Sequence, residues 1–582
     1  MKRALKDVIL LCLLAGCSGT VAPSSPGSGG DGVGGDGTGG DGGDGMNGNG
    51  GSDSPGGSGG TTGAGGAVGT GGNPETSTVP VVKYAMLRLT NAQYANSVRD
   101  LFPGITTGAL ALPNENVVDR FNNAASGQTA TSQLIENYQS AAEAVAAAIS
   151  ANFAAVVTCT PTTTAEEDTC VHAFIADFGK RAYRRPVTTD EATRTFNFYK
   201  AARATDTFQV AVISLIQVFL QSPAFLYRLE SGQGQATQGM VPLTSHEVAT
   251  RLSYFLSDTI PDAALVTAAD ANQLQDAAQV ETQARRLLKD PRARPVVASF
   301  NYQWLGFVRM QNMVKDARLF PGFTPAIGQA LHDSAVMFVE HAFWEENSLR
   351  ALLTDSHAFA NNALAPFYGA TAPGSTALQM VGANAAQRTG VLTLPGLLAG
   401  LAGPVEDSPV KRGLLVLQSF LCQTPPPPPA GVNTNPPPFD ATKPTTTRQR
   451  LASQHAVGSC AGCHIVMDDI GFAFENYDAS GMWRTQENGL PIDASSRLAG
   501  TDVDGTFTGA VALGEKLAQS ARVADCVTYQ WLRYSLGLDT TQINVAAAHS
   551  IATSFTAAGG SFTELLVNVA KSTTFRSLKV SN

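Results

Sequence analysis

The chain has 582 residues, too many for a single hydrophobic core, and its folded part is expected to divide into two to four domains. Its 39 lysines and arginines face 48 aspartates and glutamates, and the formal charge of −9 argues against a nucleic-acid partner. The same sign argues against adhesion of the body to anionic lipid headgroups.

The first elements are targeting signals. A short basic start, MKRALKD, leads into the apolar run VILLCLLAG, which is too short to span a bilayer and reads as a signal peptide. It ends in Leu14-Ala15-Gly16-Cys17, which resembles a bacterial lipobox, and that resemblance implies lipidation of Cys17 and an outer-membrane or cell-surface address, with Ser18 as the sorting residue. Residues 18–78 are mostly Gly, Ser, Asp, Thr and Pro and have too little apolar surface to offset their ordering entropy. They are expected to form a long disordered Gly-rich tether between the anchor at 1–17 and the body.

The body reads as mainly α and multi-helical. In LRLTNAQYANSVRDLF (87–102), Thr90 stands where an N-cap belongs, ahead of apolar residues at three- and four-residue spacing. LIENYQSAAEAVAAAISANFAAVV predicts a long alanine-rich helix, and VHAFIADFGKRAYRRPVTTDEATRTFNFYKAAR two helices broken at Pro186, with Thr188 or Thr189 capping the second. AVISLIQVFLQSPAFLYRLE is apolar enough for a buried helix. Thr244 or Ser245, with Glu247 following, marks another helix start, and further helices are expected at 277–289, 291–306, 323–345 and 349–353. Only LQMV and GVLTL, between 370 and 395, suggest short strands. His332, Asp333, Glu340 and His341 fall on one expected amphipathic helix and read as a solvated or hydrogen-bonded face. The segment TPPPPPAGVNTNPPP after Cys422 favours an extended polyproline strap or spacer.

Cysteine usage fits an oxidising compartment. Cys159 and Cys170 flank a Thr-rich loop, and Cys422 and Cys526 are placed to tie the proline strap to the helix VADCVTYQWLRYSLG, so both pairs are disulfide candidates. Cys460, Cys463 and His464 spell C-x-x-C-H, in which two thiols bond the vinyl groups of haem c and the histidine is the proximal ligand. Met482, His455 and Met467 are candidates for the sixth ligand. A second reading takes Cys460, Cys463, His464 and His455 as a zinc site, and a third leaves the cysteines structural. Asp468, Asp469, Glu475 and Asp478 form an acidic stretch whose oxygens suit calcium. The chain has no G-x-S-x-G elbow, H-E-x-x-H, P-loop or dinucleotide fingerprint.

Several of these segments, together with KRGLLVLQSFLCQTPPPPP and CAGCHIVMDDIGFAFENYDASGMWR, resemble a bacterial family known from planctomycetes and myxobacteria, multi-domain cytochrome-like proteins built from DUF1587, DUF1595, DUF1592, DUF1588 and DUF1585 units. The resemblance implies helical domains at 79–235 (DUF1587/DUF1595-like) and 236–406 (DUF1592-like), a strap and C-x-x-C-H domain at 407–500 (DUF1588-like), and a last helical domain at 501–582 (DUF1585-like). The family's motif continues as D-P-x-G-F and E-x-x-D-x-x-G-x-x-R; Asp468, Gly471, Phe472, Glu475, Asp478, Gly481 and Arg484 match it, and Asp469 departs from the usual proline. Many relatives carry a separate cytochrome domain ahead of this body, where this chain has its tether. The expectation is an exported, lipid-anchored cytochrome-like protein carrying haem c, acting in electron transfer or as an accessory to a periplasmic or surface redox partner. The alternative is a non-enzymatic cell-surface scaffold or a polymer- or carbohydrate-binding protein with structural cysteines.

Overall fold

The computed structural model describes residues 86–426, 440, 442–455 and 461–579, with the backbone alone at 461–463. The signal peptide, Cys17, the tether, most of the proline strap and Cys460 lie outside the described residues.

The described body is mainly α-helical, and its strands form five two-stranded antiparallel pairs. Helix starts follow local chemistry. Thr90, Thr163, Thr188 and Thr244 each accept a backbone N–H three residues on, and Gln93, Glu166, Glu191 and Glu247 return the bond to the cap residue. The expected break near Pro186 falls at Arg184, which ends the helix Thr164–Tyr183 in the left-handed region with φ 59°. The Arg184 guanidinium then donates to the carbonyls of Ala182, Ala224, Phe225 and Tyr227, which supplies partners to chain ends that would otherwise be buried without them. Among the expected strands, Gln379–Gly382 pairs with His357–Ala360, whereas Val391–Thr393 is a 3-10 turn. That segment is buried at Val391 and Leu392 and runs directly into the helix Pro395–Gly400.

Two apolar cores form. One gathers residues from Leu89 to Ile260 around Tyr94, Val145, Ile175 and Phe219. The other spans Leu243 to Phe575, with Phe300 stacked on Trp531 at 3.6 Å between ring centres. The helix Ser245–Ser257 serves both: Tyr254 belongs to the first core, and Leu252 and Phe255 to the second. Its Arg251 is buried, pairs with Glu230 and donates to the carbonyls of Phe575 and Ser577, so the C-terminal strand Ser577–Lys579 is held against Met240–Pro242. No helix among the described residues is long and apolar enough to cross a membrane.

Disulfides join Cys159 to Cys170 and Cys422 to Cys526. The second closes a 104-residue interval that contains the helices Thr447–His455 and Ala461–Gly471. Ala461–Gly471 crosses Pro409–Phe420 unusually closely. A Cβ at Gly413 would lie 2.1 Å from the Met467 carbonyl oxygen, and one at Gly471 would lie 2.2 Å from that of Pro409. Two glycines therefore let the backbones touch, and this contact sets the depth of the second helix.

Candidate metal centre

His455 is the last residue of the helix Thr447–His455, and this helix is tied down at its start. The Thr447 N–H and hydroxyl donate to Glu487 at 2.8 and 2.7 Å, Thr446 and Gln449 exchange capping bonds, and Arg450 donates to Glu406. His464 and Asp468 lie on the next helix at i and i+4, the spacing that puts two side chains on one face. The tertiary fold brings the three residues together. His455 Nδ1 lies 2.5 Å from one Asp468 carboxylate oxygen and His464 Nδ1 lies 3.2 Å from the other, while the two imidazole rings are tilted by 31° with centres 3.6 Å apart. Asp468 is buried. The three side chains each present a ligand atom within 4.8 Å of the other two, a set that can hold one metal ion.

This arrangement corrects the haem expectation. Axial ligands of a porphyrin iron approach from opposite faces of the macrocycle. With ring centres 3.6 Å apart, His455 and His464 leave no room for a macrocycle between them, while each still offers a ligand atom within 4.8 Å of one from Asp468. The remaining candidates for a sixth ligand are used elsewhere: Met467 is buried in the second core, and Met482 packs against it. The two disulfides take Cys159, Cys170, Cys422 and Cys526, none of which belongs to the C-x-x-C-H. Cys463 lies in the first turn of its helix. The described side chains therefore fit a bare ion and not haem, which overturns the cytochrome-like and electron-transfer expectation.

The acidic stretch does not form a calcium cage. Asp468 faces the histidines, whereas one Asp478 oxygen accepts from the Ser480 N–H and hydroxyl and the Met482 N–H, shaping a turn. Asp469 is half-buried, and its carboxyl is raised by desolvation against the pull of Arg448 and Arg497. Glu475 is buried, and its carboxyl is pushed well above the usual range, first by burial and then by Asp407 and Glu487, with Arg484 and Arg412 opposing. Nitrogen donors from two histidines favour zinc over calcium, which prefers oxygen alone.

The rest of the motif is a buried polar knot that fixes the chain after the helix bearing His464 and Asp468. Arg412 is fully buried and donates to the carbonyls of Phe474, Tyr477 and Asp478, with Asp407 at 3.3 Å as its counter-ion. Arg484 donates to the Glu475 carbonyl and to Asp407. Gly481, with φ 83°, passes so close to Pro395 that a Cβ would lie 2.3 Å from its carbonyl oxygen. These residues carry structure, and the ligand-bearing residues precede them. The i+4 spacing of His464 and Asp468 is the one signal in the sequence that joins them, and the acidic stretch around Asp468 suggests calcium instead.

Five family models match the chain, together over most of its length. Each is described as a protein of unknown function: DUF1587 at residues 88–151, DUF1595 at 170–230, DUF1592 at 243–370, DUF1588 at 388–487 and DUF1585 at 504–575. The His455–His464–Asp468 cluster and the buried knot fall within the DUF1588 match. Comparison with curated proteins and with solved structures found no match.

Proposed function

We propose that the protein is a non-enzymatic bacterial cell-surface scaffold, held to the outer membrane by lipid on Cys17, whose DUF1588 unit carries a zinc-class divalent ion between His455, His464 and Asp468. The convergence of three ligand atoms within 4.8 Å of one another is the observation that carries this reading. Two imidazole nitrogens and one carboxylate oxygen are donors that zinc takes at about 2.0–2.2 Å. The ion links the end of one helix to the middle of the next, inside the interval closed by Cys422–Cys526, and adds a cross-link to a segment rich in turns. The lipobox-like LAGC and the polar spacer support a surface location, with the spacer holding the body clear of the membrane.

The test is zinc binding by the full chain, stripped with a chelator and titrated in competition with a chromophoric chelator. Wild type is expected to bind zinc, and His464→Ala to lose one equivalent or weaken its binding by at least about tenfold. His464→Ala with wild-type stoichiometry and affinity would overturn the assignment.

A further inference from the structure

A second cluster lies away from this centre. His341 is in the last turn of the helix Pro325–Trp344, Asp355 follows the short helix Leu349–Thr354, and His357 opens the strand His357–Ala360. Asp355 Oδ1 accepts from the His357 N–H at 3.0 Å and lies 2.8 Å from His357 Nδ1. The other carboxylate oxygen, Oδ2, is buried and has no hydrogen-bond partner, and His341 Nε2 is in the same condition. These two atoms face each other across 3.6 Å. Glu346 Oε1 lies 3.5 Å from the same His341 nitrogen.

Buried polar atoms are nearly always satisfied, so a facing pair left too far apart to bond calls for a partner between them. A direct ion pair would close the gap to about 2.8 Å. Ligand atoms around a tetrahedral zinc, at bonds of about 2.1 Å, stand roughly 3.4 Å from one another. The separations of 3.5 and 3.6 Å match that edge. Ligand atoms of His341, Asp355 and His357 all lie within 4.8 Å of one another.

We propose that His341, Asp355 and His357 form a second zinc-class site, with the exposed Glu346 carboxylate beside its His341 ligand. The site clips the end of a long core helix to the hairpin His357–Ala360/Gln379–Gly382. The backbone around Asp355 is already set for it: the Asp355 carbonyl accepts from the Gly390 N–H at 2.7 Å and the Ser356 carbonyl from the Ala383 N–H at 2.9 Å. His357 is half exposed and leaves the ion in reach of solvent, so it exchanges with added metal.

The experiment uses the full chain, stripped of metal and titrated with Zn²⁺ and, for its visible bands, Co²⁺. His357→Ala is the primary variant because its side chain is largely outside the core, and Asp355→Asn is the second, with its charge removed and its shape kept. Both are made in wild type and in His464→Ala, so that the two centres are read separately. In the His464→Ala background one zinc equivalent is expected to remain, and each second substitution to remove it or weaken it by at least about tenfold. Metal-free unfolding midpoints close to those of the parent confirm that folding is intact. If His357→Ala and Asp355→Asn leave the zinc stoichiometry and affinity of the His464→Ala chain unchanged, or if that chain binds no zinc, the cluster is an ion pair only and the proposal falls, whatever the outcome at His464.

Discussion

Replacing Gly413 by alanine tests whether the helix crossing determines the metal centre. The new Cβ would lie 2.1 Å from the Met467 carbonyl oxygen, 3.0 Å from its carbon and 3.2 Å from the Gly471 nitrogen. A comfortable carbon–oxygen approach is about 3.3 Å, so the helices must part by roughly 1 Å. Overpacking of this kind costs about 1–3 kcal/mol, while the better helix propensity of alanine returns up to about 1 kcal/mol. A net loss of about 1–2 kcal/mol is expected. The displacement has a second consequence, because Met467 adjoins Asp468 and shares a helix with His464, whereas His455 is held by Thr447–Glu487 and Arg450–Glu406. The shift is therefore taken up between His455 and Asp468, and metal sites tolerate only about 0.2 Å. Urea unfolding in chelator should show the lower midpoint, and competition titration should show zinc affinity reduced by at least about tenfold. Gly322→Ala, where a Cβ meets nothing within 4 Å, is the control expected to change neither. A Gly413→Ala protein that is less stable yet binds zinc as wild type does would refute the coupling, and one unchanged in both would refute the crossing.

Two further substitutions probe other parts of the body. Cys422→Ala with Cys526→Ala releases a 104-residue interval, and the loop-closure relation puts the loss at about 4.7 kcal/mol; an unchanged urea midpoint would show that the bridge does not constrain the unfolded chain. Asp258 is half-buried, accepts from Gln93 at 2.8 Å, and burial pushes its carboxyl up to about 6 against the pull of Gln93 and Arg228. Its folded value lies above the unfolded one, so the folded state holds the proton more tightly, and this group's contribution falls as pH rises from about 4 to 6. Asp258→Asn keeps an acceptor for Gln93 and suits the left-handed φ of 52°, so it should stabilise the protein by up to about 3 kcal/mol at pH 7.5 and by little at pH 4. Equal midpoint shifts at the two pH values would contradict this.

Local chemistry made part of the protein readable from the chain alone. Thr90, Thr188 and Thr244 cap helices because a threonine oxygen reaches the N–H three residues on wherever the backbone turns into a helix, with no help from distant residues. Apolar spacing likewise marked AVISLIQVFLQ as buried, since a helix without a polar face has no other place to go. The C-x-x-C-H spacing, by contrast, is compatible with several chemistries. It does not encode whether His464 will meet a second imidazole from the opposite side of an iron or from beside it. That was decided by the Gly413–Gly471 crossing and by the anchoring of the preceding helix through Glu487 and Glu406, residues 40 and 44 positions from their partners. His341, Asp355 and His357 are spread over a helix end, a loop and a strand. Only the packing of the hairpin against that helix leaves two of their buried atoms facing each other without a partner. Short-range hydrogen bonds and hydrophobic periodicity are properties of neighbours in sequence; the convergence of ligands is a property of surfaces that meet only when the chain has folded.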